Sequence, residues 1–268
     1  MSFLSLIRRA FFRPQTATKK GCWKIVGCSQ AGTAHLRRGR SCEDAVDWFK
    51  DDDLLVIAVA DGAGSAAHPA LGSALAVRTA CRALADHHKK ISPITAKNST
   101  QALAFTCQKT LNALGDLAHE MNVEPSDLAC TLIVVIATKN FVTAAQVGDG
   151  AVVLRDDKQN IIALTTPTNG GYANETVLLG CNQTTDVGVW SFDDVCPKSI
   201  AVFTDGLQRL ALLMPQGTPH APFFQPLFDQ LNRRTEAEME QALRKFLNSP
   251  QVNNRTDDDK SLVTAQLV

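Results

Sequence analysis

The sequence predicts an α+β domain built as a four-layer α-β-β-α sandwich, two antiparallel sheets flanked by helices on their outer faces. Three observations predict it. Short runs such as Leu54–Ala60 (LLVIAVA) are apolar throughout, so both of their faces must be covered. Strands outnumber helices and come in antiparallel runs, which argues against a doubly wound nucleotide-binding fold. The long Ala- and Leu-rich helical stretches are amphipathic, and each needs a sheet face to cover.

Taken in order, Trp23–Ser29 is short and apolar-rich, a predicted strand. Leu54–Ala60 is too short for a helix and reads as a buried strand that stops at Asp61-Gly62. Pro69–His88 and Ser99–Met121 are predicted helices. Cys130–Thr138, Phe141–Val147 and Ala151–Arg155 read as consecutive strands of an antiparallel meander, turning at Lys139-Asn140 and at Gly148–Gly150. Thr165–Asn174 is loop-like. Ile200–Phe203 is a further buried strand, ending at Thr204-Asp205-Gly206. Gln208–Leu247 is mostly helical with a break around Pro215–Pro222, and Leu262–Leu267 is the last strand.

Composition narrows the function classes. The chain has 268 residues, with 27 Lys+Arg against 27 Asp+Glu, so no basic surplus exists to grip a nucleic-acid backbone. No run approaches the roughly 20 apolar residues of a membrane span. The eight cysteines are scattered and form no Cys-x-x-Cys pair, which points to a reducing, cytoplasmic location and away from structural zinc. Residues 1–20 carry five basic residues, no acid, and Phe3, Leu4, Leu6, Ile7, Phe11 and Phe12. This segment reads as a basic N-terminal tail; its other reading is an amphipathic segment touching a membrane surface or a partner. Residues 21–268 read as one domain.

The chemistry lies in the acids. Three apolar strands end alike, at Asp61 (VIAVADG), Asp149 (TAAQVGDG) and Asp205 (SIAVFTDG). Asp257-Asp258-Asp259 precedes the last strand, and Glu43-Asp44 lies shortly before the strand that ends at Asp61. The glycine after each strand-terminal Asp permits a sharp turn or close approach to a ligand. Carboxylates at several strand ends can converge on one point, where they repel one another unless a cation neutralises them. An all-oxygen set selects Mg²⁺ or Mn²⁺ over zinc.

The order of these motifs resembles the metal-dependent serine/threonine protein phosphatases of the PP2C (PPM) family, on its bacterial side. The pieces are CEDAV at 42–46, VADGAGSA at 59–66, ACTL at 129–132, VGDGAVVL at 147–154, FTDGL at 203–207 and DDDKSLVTAQL at 257–267. The resemblance spans about residues 22–268 and implies the same two-sheet sandwich. It implies that Asp61 bridges two metal ions, that the Gly62 carbonyl binds the second, and that Asp205 and Asp258 complete the first. Glu43 and Asp44 correspond to the pair that holds metal-bound waters. Asp149, with Asp205, corresponds to a weaker third site. The implied reaction is hydrolysis of phosphoserine or phosphothreonine by direct attack of a metal-bridging hydroxide, with Asp61 and Asp205 central to catalysis. The implied partners are phosphorylated proteins, a Ser/Thr kinase or its targets.

The chain departs from the family pattern in places. An Arg usually stands a few residues before the Glu-Asp pair and holds the substrate phosphate. Here HLRRGRSCED offers Arg38 and Arg40 around Gly39, and Arg38 is assigned the role, with Arg40 the alternative. Ala63 replaces a His of the eukaryotic branch, so water is expected to protonate the leaving group. Asp259 and Lys260 stand where Asn and an apolar residue are common; register to Ser261-Leu262 selects Asp258 over Asp257 as ligand. A variable flap is expected between Asn169 and Asp194. A cysteine-nucleophile phosphatase is excluded, because no cysteine has Arg six residues on. The six histidines form no metal-binding motif and read as surface or satisfied residues. The rival reading is a catalytically inactive family member acting as a regulatory binding module.

Overall fold

The computed structural model describes residues 22–52, 54–91, 93–165, 178–181, 187–193 and 195–268. The basic segment 1–20 lies outside these residues, as does most of the expected flap. The strand β1 covers Trp23–Gln30, and the short helix α1 covers Thr33–Arg37. Then follow β2 (Ala45–Lys50), β3 (Leu55–Ala60), α2 (Pro69–Asp86) and α3 (Ala96–Met121). The centre of the chain supplies β4 (Leu132–Ala137), β5 (Val142–Val147), β6 (Ala151–Asp156), β7 (Ile161–Thr165), β8 (Gly188–Phe192) and β9 (Pro197–Phe203). The rest is α4 (Gln208–Ala211), a two-residue ribbon of β10 (Leu212–Leu213) and β11 (Thr218–Pro219), α5 (Ala221–Arg233), α6 (Glu236–Leu247), α7 (Pro250–Asn253) and β12 (Lys260–Leu267).

Two five-stranded antiparallel sheets result, in the orders β2-β3-β4-β5-β8 and β1-β12-β9-β6-β7. Strand alternation divides the apolar side chains into three layers of core. In β3, Leu55, Ile57 and Val59 point between the sheets, while Val56, Ala58 and Ala60 point to α2 and α3. In β9, Ile200 and Val202 point inward, while Ala201 and Phe203 meet Phe224 and Phe228 of α5 and Leu243 of α6. This is why LVIAVA has no polar face: each side of the strand is covered by a different layer. Arg155 of β6 ties α5 down, its guanidinium 2.7 Å from Asp229. Among the described residues, no helix is long and apolar enough to cross a membrane.

The α+β sandwich is as the sequence predicts, but the meander is not. β4 and β5 pair as a hairpin, whereas β6 belongs to the other sheet, between β7 and β9. Gly148–Gly150 is thus a crossover between sheets. Gly148 adopts φ +102°, and a side chain there would meet Thr131 at 2.5 Å. The local signal for a tight turn is the same in both cases, and only packing of both strand faces decides which sheet takes β6. β2, β7 and β8 are additional strands: each lies at or near a sheet edge, and β2 and β8 have no fully buried residue, so their patterns are weak.

Helix α2 reaches its position through Gly72, where an added Cβ would lie 2.0 Å from the Leu128 carbonyl oxygen. Gly72→Ala is therefore expected to destabilise the protein by roughly 1–3 kcal/mol, as overpacking does. Thermal denaturation should show a lower midpoint; an unchanged or raised midpoint would mean that α2 does not depend on this contact.

Candidate metal centre

The antiparallel register places the acids together before any side chain is considered. Ala45 at the start of β2 pairs with Ala60 at the end of β3, so Asp44 and Asp61 leave the sheet side by side. In the other sheet, Phe203 at the end of β9 pairs with both Leu262 and Ala151, so Asp205, Asp258 and Asp149 share one end. The two groups meet across the sandwich, where the Thr204 hydroxyl donates to Asp44 Oδ2 at 2.8 Å. Thr204 Oγ1 in turn accepts from the Ser261 amide at 3.0 Å.

Asp61 sits at the centre. Its amide donates to Thr131 Oγ1 at 2.9 Å, and its carbonyl accepts from the Thr131 amide at 2.8 Å. These bonds give the ACTL motif a physical role. Burial pushes the Asp61 carboxyl well above the usual carboxylate range, and the charges of Asp44 and Asp258 add to the effect. Burial likewise raises Asp205 to about 9, with Asp61, Asp149 and Asp258 repelling its charge. Asp44 is raised to about 7, again chiefly by burial. Gly62, beside Asp61, has no room for a side chain: a Cβ would lie 2.6 Å from the Pro69 carbonyl oxygen.

Asp258 and Asp259 do different work. Asp258 lines a cleft of about 450 Å³ together with Asp205 and Asp257. Asp258 acts on both Asp61 and Asp205 electrostatically. Asp259 turns into the protein and is 2% exposed. Its carboxylate accepts from the Gly32 amide and the Glu43 amide, both at 2.6 Å. Sequence reasoning did not foresee this clasp, since three consecutive acids give no sign of which faces inward. Lys260 is also buried; its ammonium donates to Asn253 Oδ1 at 2.9 Å, and burial lowers its pKa.

Glu43 faces Arg40 and His35. Arg40 lies 2.6 Å from Glu43 Oε1, and His35 Nε2 lies 3.7 Å from Oε2. His35 Nδ1 is 2.9 Å from Asp259 Oδ1 but is not aligned for a hydrogen bond. The Ser73 hydroxyl holds the Glu43 carbonyl. Arg38 is placed differently, exposed at the end of α1 and outside any ion pair among the described residues. The structure thus gathers Glu43, Asp44, Asp61, Gly62, Asp149, Asp205 and Asp258 at one end of the sandwich, with Arg38 on the adjoining α1 turn.

Three buried acid oxygens, Glu43 Oε2, Asp44 Oδ1 and Asp205 Oδ1, have no hydrogen-bond donor facing them. Uncompensated carboxylate oxygens in a set of hard ligands fit divalent cations such as Mg²⁺ or Mn²⁺. Among the described residues, no three such groups already stand in ligating geometry around one point. Instead, Asp61 stands close enough to Asp44 and to Asp205 for the three carboxyls to shift one another's titration.

The profile of the Protein phosphatase 2C family matches residues 31–248. The chain belongs to that family. It is 34% identical over 255 residues to serine/threonine-protein phosphatase 3 of Escherichia coli, covering 91% of this chain and 98% of that one. Among solved structures, it is similar in fold to Stp1 of Staphylococcus aureus (TM-score 0.63, 13% identity, 96% of this chain and 100% of that chain). It is also similar in fold to PstP of Mycobacterium tuberculosis (TM-score 0.61, 15% identity, 92% and 99%).

Without divalent ions, folded Asp205 keeps its proton up to about pH 9, while in the unfolded chain it loses it near the ordinary value of about 4. The folded state binds more protons between these values, so stability falls as pH rises through that window. Asp205→Asn should therefore raise the melting temperature of the metal-free protein at about pH 8 and flatten its pH slope; a lowered midpoint would contradict the assigned repulsion. Asp259→Ala should do the reverse, because it strands two buried amides at about 1–3 kcal/mol each. A melting temperature within experimental error of wild type would show that the clasp is not structural.

Proposed function

We propose that this chain is a serine/threonine protein phosphatase that hydrolyses phosphomonoesters with the help of Mn²⁺ or Mg²⁺. The single observation that carries the reading is the convergence of Asp44, Asp61, Asp205 and Asp258, with orphaned buried oxygens and raised pKa values. Asp61 would hold two ions together, with Asp205 and Asp258 on one and the Gly62 carbonyl on the other. Glu43 and Asp44 would hold the ions' waters, and Asp149 with Asp205 would serve a weaker third site. Bound there, the ions would supply Lewis-acid chemistry: they would neutralise charge on the phosphate and lower the pKa of a water so that it could serve as the nucleophile.

The protein's own contribution is to hold and orient. Strand ends and the Thr131 and Thr204 bonds fix the acids before substrate arrives, which removes reorganisation from the reaction. Arg38, exposed at the end of α1, is assigned to grip the phosphate oxygens; Arg40, which pairs with Glu43, is the alternative. Position 63 carries no acid group, and His68 is exposed at the start of α2, so the leaving oxygen takes its proton from water. Substrates are phosphorylated proteins, including a Ser/Thr kinase or its targets. No disulfide joins any of the eight cysteines among the described residues, which suits a reducing cytoplasm. Residues 21–268 act as one phosphatase domain.

Hydrolysis of a phosphoserine peptide and of an aryl phosphate should require added Mn²⁺ or Mg²⁺. Asp61→Asn should lower kcat by roughly 10³-fold or more, the scale of several kcal/mol in the barrier. Absence of metal-dependent turnover would instead favour a regulatory binding module.

A further inference from the structure

Two clefts adjoin at Arg255. The first is the polar cleft of about 450 Å³ that Asp205 and Asp258 line, with Arg209 and Arg255. The second is an apolar groove of about 440 Å³ in the outer helical layer. Its walls are Leu210, Phe223, Leu227, Met239 and Phe246, with Arg255 at the shared edge. Helix α4 joins the two, since Arg209 lines the first cleft and Leu210 the second.

The groove has a hydrophobic face that the fold leaves open. Phe246 is 40% exposed, and its ring centroid stands 5.8 Å from that of Phe223. The charged side chains around it are Arg234 and Arg255, with no acid among the lining residues. Arg209 and Arg255 enter no ion pair among the described residues, although three aspartates line the same cleft. At the apolar groove, where Arg234 and Arg255 line the edge and no acid does, a basic occupant would be repelled. An anionic one would be drawn in, and the arginines would offset its repulsion by the acid cluster.

We propose that the groove is the polypeptide-recognition site of the phosphatase. It takes an aromatic or branched aliphatic side chain of the substrate protein, on one side of the phosphorylated residue, while Arg209 and Arg255 meet acidic residues between the two. This rests on the phosphatase reading above. An extended chain advances about 3.3–3.6 Å per residue, so neighbouring clefts of this size are spanned by about four residues. Apolar burial in the groove then supplies selectivity that the phosphate alone cannot, because every phosphoserine presents the same phosphate.

The test uses phosphoserine peptides of acidic background in which a single Phe is moved through about four positions on each side. Each is compared with the peptide that has Ser in its place. At one position, Phe should raise kcat/KM about tenfold, through KM, and in Phe246→Asp that ratio should fall to about one. Fluorescence anisotropy of the same peptides on the wild-type protein without divalent ions provides a readout independent of turnover, and the Phe-bearing peptide should again bind about tenfold more tightly. No preference at any position, or a preference that Phe246→Asp leaves intact, overturns the proposal. A dimer that Phe246→Asp dissolves, with no peptide preference, also overturns it by assigning the groove to a second copy. Groove-dependent peptide binding without turnover of any phosphate ester would sink the phosphatase reading and leave the groove as a peptide site.

Discussion

Carboxylates that repel one another are held together at one end of a β-sandwich, and most of the surrounding structure opposes that repulsion. Asp44 is buried and Asp61 and Asp205 are half-buried, and each is pushed toward its protonated form by loss of solvent around its carboxyl and by its neighbours. The restraint comes from the strands they terminate, whose backbone bonds and two-sided apolar cover make the strand ends rigid. A stable core is thus used to maintain a site that is unstable by itself, which is a common relation between fold and function.

The clasp around Asp259 shows how closely opposed roles can sit in sequence. Asp258 faces the cleft, and the next residue faces the interior and accepts two main-chain hydrogen bonds. Through those bonds, the start of β12 organises both α1 and the backbone of Glu43. The clasp thereby brings the arginine-bearing α1 turn beside the acids. His35 packs between Asp259 and Glu43 and completes the arrangement. A histidine here contributes to the site without belonging to any histidine motif.

The outer helical layer links chemistry to recognition. α4 follows Asp205 directly and faces two clefts, one with the acids and one with aromatic rings. A phosphatase of this architecture can vary its outer helices without disturbing the strand ends.

Much of the fold and site was legible in the chain itself. Fully apolar runs such as LVIAVA announce strands covered on both faces, and an Asp-Gly after each announces a carboxylate at a rigid end. These signals are local, repeated and periodic, so the sandwich and its main acids could be read from them. The edge strands β2 and β8 were not read, because half-buried positions carry little hydrophobic pattern. The crossover at Gly148–Gly150 and the inward turn of Asp259 were decided only by tertiary structure. Each depends on which distant segment lies opposite, and a linear sequence holds that information only through the packing of the whole chain.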